Sequence, residues 1–170
     1  MDATDRSALD LRIVSLDAAP ELAGTVAAWH WREWGPGDFG RTAEQWLETI
    51  RGRSRADGIP FTLVGLVGDT PVGTVSVCAD DLDERYADRG PWVSGMVVVG
   101  RARNLGVGRA LLAAAEARAR AAGCHELWLH TAEAMRFYER CGWSLVAEKA
   151  ALDRDAVLCR DLRAEARADG

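Results

Sequence analysis

Lysine is almost missing from this chain of 170 residues: Lys149 is the only one, nearly all positive charge is arginine, and the net charge is −5. Nucleic acid is held by clustered cations, so this acidic balance argues against a nucleic-acid partner. Long apolar runs are absent too. None approaches the ~18 residues that a membrane-spanning helix needs, and no membrane partner is expected. The first ten residues carry Asp2, Asp5, Arg6 and Asp10 where a secretory signal would have an apolar stretch, which points to the cytoplasm. Of the four cysteines, Cys78, Cys124, Cys141 and Cys159, no two form a C-x-x-C pair, and the three histidines do not fall at metal-ligand spacing. Neither a disulfide framework nor a metal site is expected.

What is present suits one domain. At 48% hydrophobic content the chain can bury about two-thirds of the surface of its unfolded form. Leu11 to Ser15 reads as a strand, and Pro20 and Glu21 open a helix through Trp34 that Gly35, Pro36 and Gly37 end. A second helix spans Thr42 to Ile50, with Thr42 as N-cap and Glu44 in the first turn, where the helix dipole favours negative charge. Gly52 to Gly58 is a basic loop. Phe61 to Val67 and Val72 to Ala79 are β-branched runs around Gly68-Asp69, a hairpin signal. After a charged loop from Asp80 to Arg89, the apolar run Trp92 to Val99 predicts a central strand covered on both faces.

From Gly106 the pattern turns helical. Val107, Ala110, Leu111, Ala114, Ala117 and Ala121 mark a buried face, Glu116, Arg118 and Arg120 an exposed one, and Gly123 closes the helix. Leu127 to His130 is the next strand, and strand, helix, strand in that order predicts a parallel crossover. A helix from Ala132 to Cys141 follows, capped by Thr131 and ended by Gly142. Trp143 to Ala147 and Ala156 to Cys159 are the last strands, and Ala164 to Gly170 reads as a frayed tail.

The stretch Arg103-Asn104-Leu105-Gly106-Val107-Gly108-Arg109 lies between a strand and the first turn of a helix. At a helix N-terminus several backbone N–H groups lack partners and the dipole is positive, so a phosphate can accept from successive amides. Glycines at 106 and 108 let a bulky diphosphate approach. The loop lacks the Gly-Lys-Ser/Thr ending of a P-loop, and Leu111 stands where a dinucleotide fingerprint would have its third glycine. A second stretch, Ala134 to Trp143, carries Phe137-Tyr138 followed by Gly142-Trp143.

Together these motifs resemble the GNAT superfamily of N-acetyltransferases, over Trp92 to Leu145. Arg103, Gly106 and Gly108 match its R/Q-x-x-G-x-G/A signature, and Met96-Val97-Val98 match the strand before it. The resemblance implies an α/β fold: a mixed, twisted sheet of about six to seven strands with helices on both faces and a splay between the fourth and fifth strands. It implies acetyl-CoA as donor, with Met96, Val97 and Val98 on the pantetheine arm and Arg103, Asn104, Leu105, Gly106, Val107, Gly108 and Arg109 around the pyrophosphate. Tyr138 is implied as general acid to the departing thiolate, a thiol of pKa ~8.5 being within reach of a phenol of pKa ~10. Two positions depart from the family: Gly100 stands where proline is frequent, and Thr131, expected to contact the coenzyme, stands where asparagine is.

The acceptor side is less marked. Trp29, Trp31 and Trp34 fall in the first helix beside Glu33, and aromatic faces attract cationic amines, although the same residues suit a core or an interface. Trp31, Glu33, Trp34 and His130 are the acceptor-side candidates. His130 follows a strand beside the cleft and titrates near neutral pH. The Asp80-Asp81-Leu82-Asp83-Glu84 run either steers a cation or is simply solvated. Cys124 and His125 fall in a presumed buried turn, with no nucleophile elbow anywhere, so transfer is expected to be direct. The partner is an amine-bearing small molecule or a peptide, and a homodimer is compatible. A non-catalytic acetyl-CoA sensor on the same fold is the other reading, disfavoured by Tyr138, and a toxin-type enzyme acting on charged tRNA would need a basic face.

Overall fold

The computed structural model describes residues 10–38, 40–79, 84–151 and 155–163. Gly68, at φ +56, and Asp69 form the tight turn that joins β2 (Phe61–Val67) to β3 (Thr70–Cys78) as an antiparallel pair. β1 (Leu11–Ser15) adds to the far side of β2, and β4 (Trp92–Val98) to the far side of β3, both antiparallel. The helix α3 (Val107–Ala121) then carries the chain over to β5 (Glu126–Thr131), parallel to β4. β7 (Asp155–Asp161) inserts between β5 and β6 (Ser144–Ala151), giving one seven-stranded sheet in the order β1-β2-β3-β4-β5-β7-β6.

Alternation along β2 builds two cores. Phe61 and Leu63 face α3, in a core that also takes in Leu111, Leu127, Leu129, Tyr138 and Trp143. Val64 and Leu66 face α1 (Ala23–Asp38) and α2 (Ala43–Gly52), with Val26, Trp46 and Ile50. Helices thus cover both faces, as expected from one apolar surface on each side of the pleat. Thr42 caps α2 through a full capping box: its hydroxyl accepts from the Gln45 amide at 3.2 Å, and the Gln45 side chain accepts from the Thr42 amide at 2.8 Å.

Several boundaries differ from the sequence reading. Pro20–Leu22 forms a 3₁₀ turn ahead of α1, and the predicted break does fall at Gly35 (φ −7, ψ −145), but helical turns resume to Asp38. Glu84–Tyr86 within the charged loop forms another 3₁₀ turn, while residues 80–83 of the acidic run, and the tail 164–170, lie outside the described residues. The helix expected over Ala132 to Cys141 is only α4 (Met135–Arg140); Thr131 instead holds the preceding turn, its hydroxyl accepting from the Ala134 amide at 3.0 Å. His125 in the expected buried turn is exposed, and Cys124 is half-buried.

The phase of α3 is the largest correction. Val107, Leu111, Leu112, Ala115, Glu116 and Ala119 are buried, whereas Ala117 and Ala121 are exposed. Alanine recurs on every side of this helix and so carries little phase information. Glu116, expected to be solvated, accepts from the Trp143 indole at 2.8 Å and pairs with Arg160 at 3.5 Å. Arg160 in turn donates to the Gly142 carbonyl at 2.8 Å. Arg118 reaches the Arg55 carbonyl at 2.7 Å with its guanidinium over Phe61, and Arg120 reaches the Leu162 carbonyl at 3.0 Å. Long side chains on the flanks of α3 lie along the apolar surface and deliver their charge to its rim.

The Glu116 network joins α3, β7 and the turn after α4. Removing one partner of a buried pair leaves the other desolvated, so Glu116→Ala is expected to lower stability by about 3 kcal/mol in urea melts. A loss no larger than that of an exposed alanine-scan position would show the network to be idle.

Candidate active site

β4 pairs along its length with β3 on one side, interrupted by one bulge, and has an open edge on the other. Its pairing with β5 is confined to Trp92↔Trp128, with the Trp128 amide donating to the Pro91 carbonyl at 2.9 Å. Beyond that point no ladder joins the two strands, and Ser94 to Val98 are half-exposed, not covered on both faces as the apolar run suggested. On the β3 side, pairing steps from Thr74↔Val97 to Ser76↔Ser94, so β4 carries one extra residue. Gly95 sits in this bulge at φ +59, the left-handed conformation that glycine adopts without strain.

The open edge lines a cleft of about 460 Å³. Met96, Val97 and Val98 form one wall; Arg103, Asn104, Gly106, Val107, Gly108 and Arg109 form its end at the start of α3. Asn104 (φ 61) and Gly106 (φ 82) are both left-handed, which turns the chain sharply into the helix. The first-turn amides of α3 have no intrahelical acceptor, so this end of the cleft can receive an anion.

The two glycines act differently. A Cβ on Gly106 would meet nothing within 4 Å, so that position is glycine for its dihedral and leaves open space. A Cβ on Gly108 would meet Met96 Cε at 3.2 Å and Phe137 Cζ at 3.4 Å, so its absence lets α3 close on β4 and α4. Arg103, expected at the pyrophosphate, donates from Nε to the Val98 carbonyl at 3.0 Å and ties the turn to the end of the strand.

Tyr138 enters from α4. It is buried, and its hydroxyl donates to Met96 Sδ at 3.6 Å, which brings the phenol to β4. Phe137 and Trp143 flank its ring at 5.0 and 6.0 Å. Burial, with Cys141 beside it, pushes the Tyr138 phenol up to about 12, so it remains a donor across the physiological range.

Other candidates separate. Glu33 lines the cleft, whereas Leu105 (53% exposed) and Thr131 do not. Trp31 is 44% exposed, but Trp34 packs against His30 and Trp46 in the α1/α2 core, and Trp29 is buried. His130 bonds Asp155 through Nδ1 at 2.7 Å, lies by the Trp92 ring, and is not among the residues lining the cleft. The sequence reading missed Ala102, Ala134 and Phe137, which also line the cleft. It missed His30 as well, whose spacing from Val26 and Trp34 on α1 marks burial but not a task.

His30 is fully buried and its Nε2 donates to the Gly95 carbonyl at 3.0 Å. Burial, and secondarily the Arg53 guanidinium, lower it to about 4, only partly opposed by the bond to Gly95.

The comparisons place this architecture. The model of the acetyltransferase (GNAT) family matches residues 21–143, and the chain belongs to that family. Its donor is accordingly acetyl-CoA. Among solved structures, an aminoglycoside 6′-N-acetyltransferase complexed with coenzyme A is similar at a TM-score of 0.68 and 16% identity, covering 89% of this chain and 97% of that one. A GNAT-family acetyltransferase from Streptococcus pneumoniae is similar at 0.65 and 22% identity, over 89% and 98% of the two chains. Ard1 from Thermoplasma volcanium is similar at 0.65 and 19%, over 89% and 97%. These likenesses are of fold. No curated protein matches the sequence.

Two outcomes test the site. Aspartate tolerates the left-handed conformation of Gly106 better than most residues, yet sets a carboxylate against an incoming anion. Gly106→Asp is expected to raise the Kd for acetyl-CoA at least tenfold in calorimetry with little change in Tm; an unchanged Kd would remove the anion site from this turn. His30 protonates near pH 6.5 in the unfolded chain but only near 4 when folded, so stability is complete above 6.5 and is lost as pH falls toward 4. Urea melts at pH 7.5 and 4.5 should show this as up to about 3 kcal/mol, with a smaller drop in His30→Gln; equal drops would assign the loss to other groups.

Proposed function

We propose that the chain is an N-acetyltransferase that moves the acetyl group of acetyl-CoA to an amine of a small molecule or peptide by direct attack in a ternary complex. The observation that carries the reading is the meeting of Tyr138 with Met96 on the open edge of β4, in the same cleft as the left-handed turn at Asn104 and Gly106. In this reading the first-turn amides of α3 hold the coenzyme's diphosphate, and the β4 edge holds the pantetheine arm. Glu33, at the cleft wall, attracts the acceptor's positive charge.

The neutral amine attacks the thioester carbonyl, the C–S bond breaks, and the sulfur leaves with the electron pair. Tyr138 stabilises that thiolate by hydrogen bonding and supplies its proton; the amine's own proton leaves to solvent, and a proton taken back from solvent restores the phenol. The high phenol pKa does not forbid this, because the dry cleft also raises the basicity of the departing sulfur.

General acids contribute roughly 10²–10⁴-fold, so Tyr138→Phe should reduce kcat by about 10²-fold with acetyl-CoA affinity retained. The wild-type kcat profile should show no inflection from this phenol between about pH 6 and 10, given its buried setting. An acetylated enzyme isolable in the absence of acceptor would refute direct transfer. Tight acetyl-CoA binding with no thiol release on any amine would replace the enzyme by a sensor.

A further inference from the structure

His30 takes no part in the cleft, yet it touches the strand that the cleft exposes. A carbonyl only accepts, so the bond to Gly95 places the ring proton on Nε2 and leaves Nδ1 an acceptor. That Nδ1 is buried and has no hydrogen-bond partner. Trp34 and Trp46 enclose the ring edge-on at centroid distances of 5.1 and 5.3 Å, with Val26 and Ile50 in the same core. A buried acceptor without a donor is costly, and an apolar side chain here would avoid that cost. The imidazole therefore has a use that outweighs it.

The use lies at Gly95. Gly95 has no partner in the β3 register, and His30 supplies a donor to its carbonyl. A Cβ on Gly95 would collide with the imidazole ring, so the glycine and the histidine fit only as a pair. The next residue in the bulge is Met96, whose side chain meets Tyr138 and lies over Gly108.

We propose that His30 is a positioning residue for acetyl transfer: by holding the Gly95 carbonyl it fixes the β4 bulge, and so aims Met96 and the strand after it at Tyr138. This rests on the acetyltransferase reading of the cleft. The ring is fully enclosed and its only N–H is engaged, so it acts through the strand and not by exchanging a proton with substrate.

The test compares wild type with His30→Leu, which fills the space without a donor, and His30→Gln, which restores an amide N–H of similar reach. Acetyl-CoA affinity is measured by calorimetry and kcat by thiol release to an amine, or to water where no amine serves. His30→Leu is expected to hold the Kd within threefold and lose at least tenfold in kcat, and His30→Gln to recover most of that loss. Should His30→Leu not fold, His30→Asn, with an amide too short to reach Gly95, takes its place. Unchanged kcat in the donor-less variant, or equal loss in it and in His30→Gln, overturns the inference alone. A wild type that binds no acetyl-CoA overturns the acetyltransferase reading and this inference with it.

Discussion

Beyond Trp92 the backbone of β4 has a ladder partner on one side only, and each polar group on its other side must be satisfied elsewhere. Most features of the molecule answer to that constraint. β3 holds one edge, with the Val99 amide donating to the Val72 carbonyl at 3.0 Å just past the strand. Arg103 takes the Val98 carbonyl and His30 the Gly95 carbonyl. What is left of the strand edge faces the cleft.

The groups around that edge are placed by burial as much as by bonding. Tyr138 and Trp143 belong to the main core, so α4 cannot shift without disturbing the packing of α3 on the sheet. Glu116 and Arg160 reinforce this from below, linking α3 to β7 and to the Gly142 turn. The same burial that raises the Tyr138 phenol lowers the His30 imidazole. Both groups are held in their neutral, hydrogen-bonding forms, and both donate toward β4.

Much of this was readable without coordinates, where local chemistry decides local structure. The Gly68-Asp69 hairpin, the Thr42 cap, the break at Gly35 and the glycine turn before α3 each follow from a few adjacent residues whose dihedrals or hydrogen bonds are restricted. The pairing of two spaced motifs was enough to identify the family, because the glycine turn and Tyr138 stand in the required order. It named Met96 and Tyr138 as site residues, but not that they touch each other.

Other features needed long-range packing. An alanine-rich helix hides its own phase, so Glu116 reads as a surface charge until Trp143 and Arg160 are seen against it. Trp34 reads equally well as a pocket wall or as core, and only its packing on Trp46 decides. Thr131 shows its local turn, and its place outside the cleft lining, only in the structure. The residue order by itself determined the turns, the caps, the alternating strands and the family; the splay of β4 from β5, the bulge at Gly95 and the histidine that closes it were decided by the tertiary structure, since each depends on partners brought together from distant parts of the chain by shared burial.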